Sequence, residues 1–178
     1  MGHVLAYEIY VPMIPVARET PEGTGGTPVT CGLNEQEAII AGLMVEHPDQ
    51  KRVKPVCDPI LAQVARARAR DMAQRNYFDH INPDGNGPNY LVVNAGYALP
   101  RWYGNERDAN NIESIAGGQT SAEAAWAAWI KSDGHRPHVL GLKDFYAGQT
   151  TYGIGYFYNP DARLKHYWVF LSAPPEEE

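Results

Sequence analysis

The sequence is poor in positive charge and in cysteine, and it has no long apolar run. Its 178 residues carry 15 Lys and Arg against 21 Asp and Glu, a net charge of −6. A basic nucleic-acid-binding face is thereby excluded, because phosphate recognition needs clustered positive charge. No uncharged stretch approaches the roughly 18 apolar residues of a membrane helix. The longest charge-free runs, 85–100 and 145–160, are filled with Gly, Asn, Tyr and Pro. A basic leader is missing as well: the chain starts Met1-Gly2-His3-Val4 and meets Glu8 early, which does not read as a signal peptide. The two cysteines, Cys31 and Cys57, have neither CxxC nor zinc-knuckle spacing. Two readings stand for them: a pair of buried thiols, or one disulfide closing a loop of about 27 residues and contributing roughly 3–4 kcal/mol.

What is present is an ordinary globular composition, 44% hydrophobic and 20% charged. That rules out a wholly disordered, collagenous or coiled-coil chain, and the length suits one domain with a short appendage. The unusual counts are 17 Gly, 14 Pro and 11 Tyr beside only 4 Phe. They imply much irregular structure and many half-buried, half-wet surfaces.

Residues 1–30 show no sustained period. Val4 to Val16 reads as a strand or extended arm limited by Pro12 and Pro15, and 21–28 reads as a mobile Gly/Pro/Thr linker. Asn34 caps a helix from Glu35 to about His47, stopped by Pro48. Asp58-Pro59 starts a second, whose stripe of Leu61, Val64, Ala65, Met72 and Ala73 runs to about Asn76. Arg66, Arg68 and Arg70 on it read as a solvated face. A short helix is expected over Asn89–Ala95, irregular or short-stranded chain over 97–112, and a third long helix over Ala122–Lys131. Two strands close the chain, 150–158 and 166–171, before an acidic tail expected to be disordered. Helices first and strands last give an α+β class with an antiparallel sheet.

Three segments combine titratable side chains with turn chemistry at element ends, where site residues concentrate. They are Tyr77-Phe78-Asp79-His80, Glu113-Ser114-Ile115-Ala116-Gly117-Gly118 (an acid leading into a small-residue loop), and Trp129 through His138, with a helix break at Gly134. Each has a plainer reading: a His near a helix end can simply favour the helix dipole, and Glu113 can be a surface acid.

Taken in order, these segments resemble a known family. Asp58-Pro59-Ile60-Leu61 through Asp79-His80-Ile81-Asn82-Pro83-Asp84-Gly85 is similar to the opening of the bacterial CAP (SCP) domain. Glu113-Ser114-Ile115-Ala116-Gly117-Gly118 resembles its "ENIA" segment, and Trp129-Ile130-Lys131-Ser132-Asp133-Gly134-His135-Arg136 its W-x-x-S-x-G-H-R segment. Tyr152-Gly153-Ile154-Gly155-Tyr156 and Tyr167-Trp168-Val169-Phe170 resemble its last two strands. The resemblance covers roughly residues 33–173. It implies a three-layer α-β-α sandwich with a central antiparallel sheet, spanning 31–173 between an arm (1–30) and a tail (174–178).

The same resemblance implies a cleft built from His80, Glu113, Ser132 and His135, with His80, His135 and Glu113 as ligands of Zn²⁺ or another divalent ion. Many eukaryotic relatives carry a second Glu where this chain has Ser132, and the family usually has Asn at Ser114, so the His/Glu set is incomplete and any metal site weaker or hydrated. Two imidazoles and a carboxylate suit such an ion, with water in the open positions. Alternatively, Glu113 orients a His through a hydrogen bond. His138 is placed at the rim, not among the ligands. Ser114 or Ser132 beside a His can also be drawn as a Ser–His dyad. The function expected is a secreted, non-catalytic binding domain for a lipid, glycan or protein, with Cys31 and Cys57 as its disulfide. The alternatives are a metal-assisted hydrolase or peptidase in the same cleft, or a vestigial site on an interaction scaffold.

Overall fold

The structure, a computed structural model, describes residues 31–104 and 106–176. The arm and linker expected over 1–30 lie outside the described residues, as do residues 177 and 178 of the tail. Local sequence signals account for the helices. Helix α1, Glu35–Val45, begins in a capping box in which Asn34 and Glu37 exchange side-chain-to-backbone hydrogen bonds. Helix α2, Pro59–Arg75, starts where the Asp58 carboxylate accepts from Ile60 N and Leu61 N, and it ends at Asn76 in the left-handed conformation. Helix α3 is Pro88–Asn94, and α4 is Ala122–Lys131 with Ser121 as its cap.

The sheet has four strands in the order β1-β3-β4-β2. Strands β3, Thr151–Tyr158, and β4, His166–Ala173, form the expected antiparallel hairpin. Two further strands depart from the sequence reading. Glu113–Gly117, read as a small-residue loop, is strand β2, antiparallel to β4 along one edge of the sheet. Val56–Cys57 is a two-residue strand β1 that pairs parallel with β3 at the other edge, so the sheet is mixed there.

Alternation along β3 and β4 builds the layers. Tyr167, Val169, Leu171 and Ala173 face α2, whereas Trp168 and Phe170 face the layer of α1 and α4, where Trp126 and Trp129 pack. On β3 the residues facing α2 include Gly153 and Gly155, and here glycine is required. A Cβ on Gly153 would lie 2.2 Å from a Leu61 backbone atom, and one on Gly155 would lie 2.2 Å from Ala65. Helix and strand therefore touch backbone to backbone, one helical turn above two strand residues.

Of the two readings for the cysteines, the disulfide holds: Cys31 is joined to Cys57, tying the chain before α1 to β1. Two short helices not anticipated, α5 (Arg136–Val139) and α6 (Asp144–Ala147), follow α4. Residues Pro174 and Glu176, assigned to the tail, are tied back to the domain: Tyr97 donates to the Pro174 carbonyl, and Ala98 N donates to the Glu176 carboxylate at 2.7 Å.

Candidate functional site

A cleft of about 250 Å³ opens beside the first residues of β2 and is lined by His80, Glu113, Ser114, His135, His138 and Tyr146, among others. Because β2 is an edge strand, alternate side chains leave it on opposite faces and both reach this one opening. Glu113 turns toward α2, and Ser114 turns toward α5. His80, Glu113 and His135, far apart in the chain, are thus brought together, with Ser132 just behind His135.

Arg68 organises the α2 side. It lies in the apolar stripe, four residues after Val64 and four before Met72, and its side chain is only 2% exposed. Its guanidinium donates to Glu113 Oε2 at 2.9 Å and Oε1 at 3.2 Å, to Tyr77 Oη at 2.6 Å, and to the carbonyls of Asp79 and His80 at 2.9 and 3.0 Å. One cation therefore neutralises Glu113 and pins the loop bearing His80. Burial opposes its charge, but the charge of Glu113 and their hydrogen bonds hold the Arg68 guanidinium above its ordinary range. Glu113 Oε1 in turn meets His80 Nδ1 at 2.9 Å.

The expectation that the three arginines form a solvated face fails for Arg68, which is buried, and holds for Arg70, which is exposed with its guanidinium over the Phe157 ring at 5.4 Å. Arg66 is half-buried, in a forked pair with the fully buried Glu37. The signal for Arg68 was its position within the stripe.

On the other side, His135 Nδ1 meets Ser132 Oγ at 2.8 Å, at the break after α4. His138, expected at the rim, instead forms buried floor, because α5 begins at Arg136 and turns it inward. Its protonation follows from its partners. Ser172 gives its hydroxyl proton to Gln149 Oε1 at 2.7 Å, while Gln149 Nε2 donates to the Asn111 carbonyl at 2.8 Å. Ser172 Oγ must then accept from His138 Nε2 at 2.9 Å and from Arg52 at 3.0 Å. His138 Nδ1 is left as an acceptor for the Ser114 hydroxyl at 2.7 Å.

Burial first, and then the nearby charge of Arg52, pushes His138 well below its ordinary value of 6.5. His135 is lowered by burial and by the proximity of His80. Arg52 itself is pushed down to about 10 by burial. The sign of the linkage follows. Below the unfolded value the unfolded chain gains a proton that folded His138 refuses, so stability is full above about pH 6.5 and declines as the pH falls, by roughly 1.4 kcal/mol per unit for this group. Urea midpoints measured from pH 7.5 to pH 5.5 should fall accordingly; a flat profile would contradict the buried neutral imidazole.

The donor chemistry separates two roles. Both Glu113 oxygens are engaged by Arg68, and one also by His80, which suits an orienting carboxylate better than a ligand. Among the described residues no group of three or more His, Cys, Asp and Glu is disposed to hold a metal ion. His80 and His135 are each engaged at Nδ1, by Glu113 Oε1 and by Ser132 Oγ. Sequence reasoning missed Arg68, the buried role of His138, and the cleft residues Asn110, Asn111 and Tyr146. Asn110 Oδ1 accepts from Glu113 N at 3.0 Å and so sets the strand that carries the acid. A larger groove of about 410 Å³ lies along α2, lined by Val64, Arg68, Asp71, Arg75 and Leu91 among others, and it shares no lining residue with the cleft.

Comparison with known proteins decides the family. The CAP domain profile, described as the cysteine-rich secretory protein family, matches residues 50–171. The chain belongs to the CAP family. It is similar to "Uncharacterized protein YkwD" of Bacillus subtilis (strain 168), 29% identical over 143 residues, which cover 80% of this chain and 49% of that protein. The chain thus spans about half the length of this curated relative. Among solved structures it resembles an extracellular SCP-domain protein from Bacillus anthracis str. Ames, with a TM-score of 0.60 at 20% identity, covering 79% of this chain and 40% of that one. It also resembles an outer surface protein from Borrelia burgdorferi, with a TM-score of 0.56 at 16% identity, covering 79% and 90% of the two chains. These two likenesses bear out the α-β-α sandwich expected of a CAP domain. No helix among the described residues is long and apolar enough to cross a membrane.

Proposed function

We propose that this CAP domain is an extracellular, non-catalytic binding module whose cleft holds a divalent cation, Zn²⁺ or a similar ion, on His80 and His135. The observation that carries the reading is the matched support of the two imidazoles: Glu113 at one Nδ1 and Ser132 at the other, 2.9 and 2.8 Å away. A hydrogen bond at one ring nitrogen orients the other as a ligand, the usual arrangement behind metal-bound histidines. With only two protein ligands, water would complete the coordination, and a cation so held would polarise ligand oxygens. The surface around it would meet a lipid, glycan or protein.

Export is supported by the extracellular and outer-surface origin of the two structural neighbours. The disulfide agrees, because such bonds persist in oxidising compartments. The non-catalytic reading is supported by the Ser114–His138 pair. It has the contact of a nucleophile and its base, yet the buried imidazole next to Arg52 resists the proton that a base must accept.

Zn²⁺ should raise the melting temperature of the wild-type domain, while a panel of ester and peptide substrates shows no turnover with or without the ion. Metal-dependent turnover lost in His80→Ala would instead establish the hydrolase reading. Absence of any shift with Zn²⁺ or other divalent ions would favour a vestigial site.

A further inference from the structure

An aromatic ridge runs from the cleft to solvent. Tyr146 lines the cleft, its ring 5.1 Å from that of His138. Phe145 follows at 5.3 Å from Tyr146, and Trp102 stands 5.9 Å from Phe145 at an interplanar angle of 77°. Trp102 is 70% exposed and Phe145 37%. A single exposed aromatic residue is ordinary, but a contiguous series that ends in a cleft marks a contact surface.

The ridge is firmly seated. Tyr103, buried beneath it with its ring 4.4 Å from Trp102 and 5.0 Å from Phe145, has a carbonyl that accepts from the side chains of Asn89 and Asn111. Rings fixed before the ligand arrives lose little entropy on binding.

We propose that Trp102, Phe145 and Tyr146 form a saccharide subsite continuous with the cleft, for a neutral oligosaccharide whose pyranose rings present flat C–H faces. Aromatic faces are electron-rich and attract such weakly positive C–H groups, and their apolar area is covered at the same time. The adjoining cleft supplies what the hydroxyl groups need. Among the described residues, Asn110 Nδ2 and Asn111 Oδ1 have no recorded hydrogen-bond partner, giving one donor and one acceptor beside His80 and His135. Its acid, Glu113, is already matched by Arg68, so an anionic ligand finds no uncommitted cation there. The polar walls equally disfavour an alkyl chain. A proline-rich peptide is the other ligand that uses aromatic ridges, but it needs no pocket of hydroxyl-binding groups at the end of one.

The inference rests on the binding-module reading but not on the cation. Its test is calorimetric titration, with tryptophan emission followed in parallel, of the EDTA-treated and the Zn²⁺-loaded wild-type domain. The probes are cellotetraose, tetra-N-acetylchitotetraose, a proline-rich decapeptide and phosphatidylcholine vesicles. Saturable binding of at least one tetrasaccharide is expected, weakened about tenfold or more in Trp102→Ala and in Asn110→Asp, which keeps the Oδ1 acceptor for Glu113 N and removes only the Nδ2 donor, with circular dichroism spectra unchanged. No saccharide binding up to roughly 5 mM, binding indifferent to Trp102, or Trp102-dependent binding of only the peptide or the vesicles would each overturn the proposal. Zn²⁺ binding without saccharide binding would sink this inference alone, and the reverse result would sink only the cation reading.

Discussion

Gly155→Ala is expected to unfold the domain or to destabilise it by roughly 3 kcal/mol or more, the upper end of overpacking costs. The added methyl would sit 2.2 Å from the Ala65 backbone, and a helix backbone cannot rotate away as a side-chain tip can. Separating α2 from β3 would also open the packing of Leu61, Ala65, Ala69 and Met72, which are fully buried there. Gly42 supplies the control. It lies within α1 with nothing within 4 Å of its would-be Cβ, so Gly42→Ala should leave stability unchanged or raise it by up to about 1 kcal/mol. Urea denaturation of both variants decides the matter. Similar midpoints for the two would mean that helix and strand are not in backbone contact.

Arg68→Met is the second large effect. The substitution keeps most of the apolar stem but leaves Glu113, whose side chain is fully buried, without its cation. Breaking a buried pair from one side costs roughly 3–5 kcal/mol. It also frees the carbonyls of Asp79 and His80 and the Tyr77 hydroxyl from their shared donor. The double variant Arg68→Met/Glu113→Leu should recover a substantial part of the loss, because no unpaired buried charge then remains. His80 would still lack its Nδ1 partner, so the double variant should be stable yet bind divalent ions less tightly. Equal destabilisation in the single and double variants would argue that Arg68 acts through packing alone.

Much of this architecture was legible because it rests on local signals. Asp58-Pro59 marks the start of α2, Ser121 the start of α4, and the Thr- and Tyr-rich closing segments mark β3 and β4. The elements that were not legible depend on distant partners. Glu113–Gly117 is small and polar in composition, and four of its five residues are buried, so both faces of the strand are covered and no alternation betrays it. Val56–Cys57 is too short to carry a pattern and is held at its place by β3 and the disulfide. In the cleft, the order His80, Glu113, His135 was readable, whereas the role of each side chain was not. That Glu113 faces Arg68, and that Ser114 faces His138, depends on which side of the edge strand β2 each residue leaves.

Two imidazoles oriented at Nδ1 and open at Nε2 are the centre of the proposed function. Protonation competes with any ion bound there, so affinity should fall as the pH drops from about 7 to 5. The most direct measurement is Zn²⁺ calorimetry at pH 7 on the wild-type domain, His80→Ala, His135→Ala and Ser132→Ala. One ion per domain is expected, lost in either histidine variant and weakened about 10- to 100-fold in Ser132→Ala, the effect expected when a supporting hydrogen bond is removed. Wild-type protein that binds no ion, or an affinity unchanged in His80→Ala and His135→Ala, would contradict it.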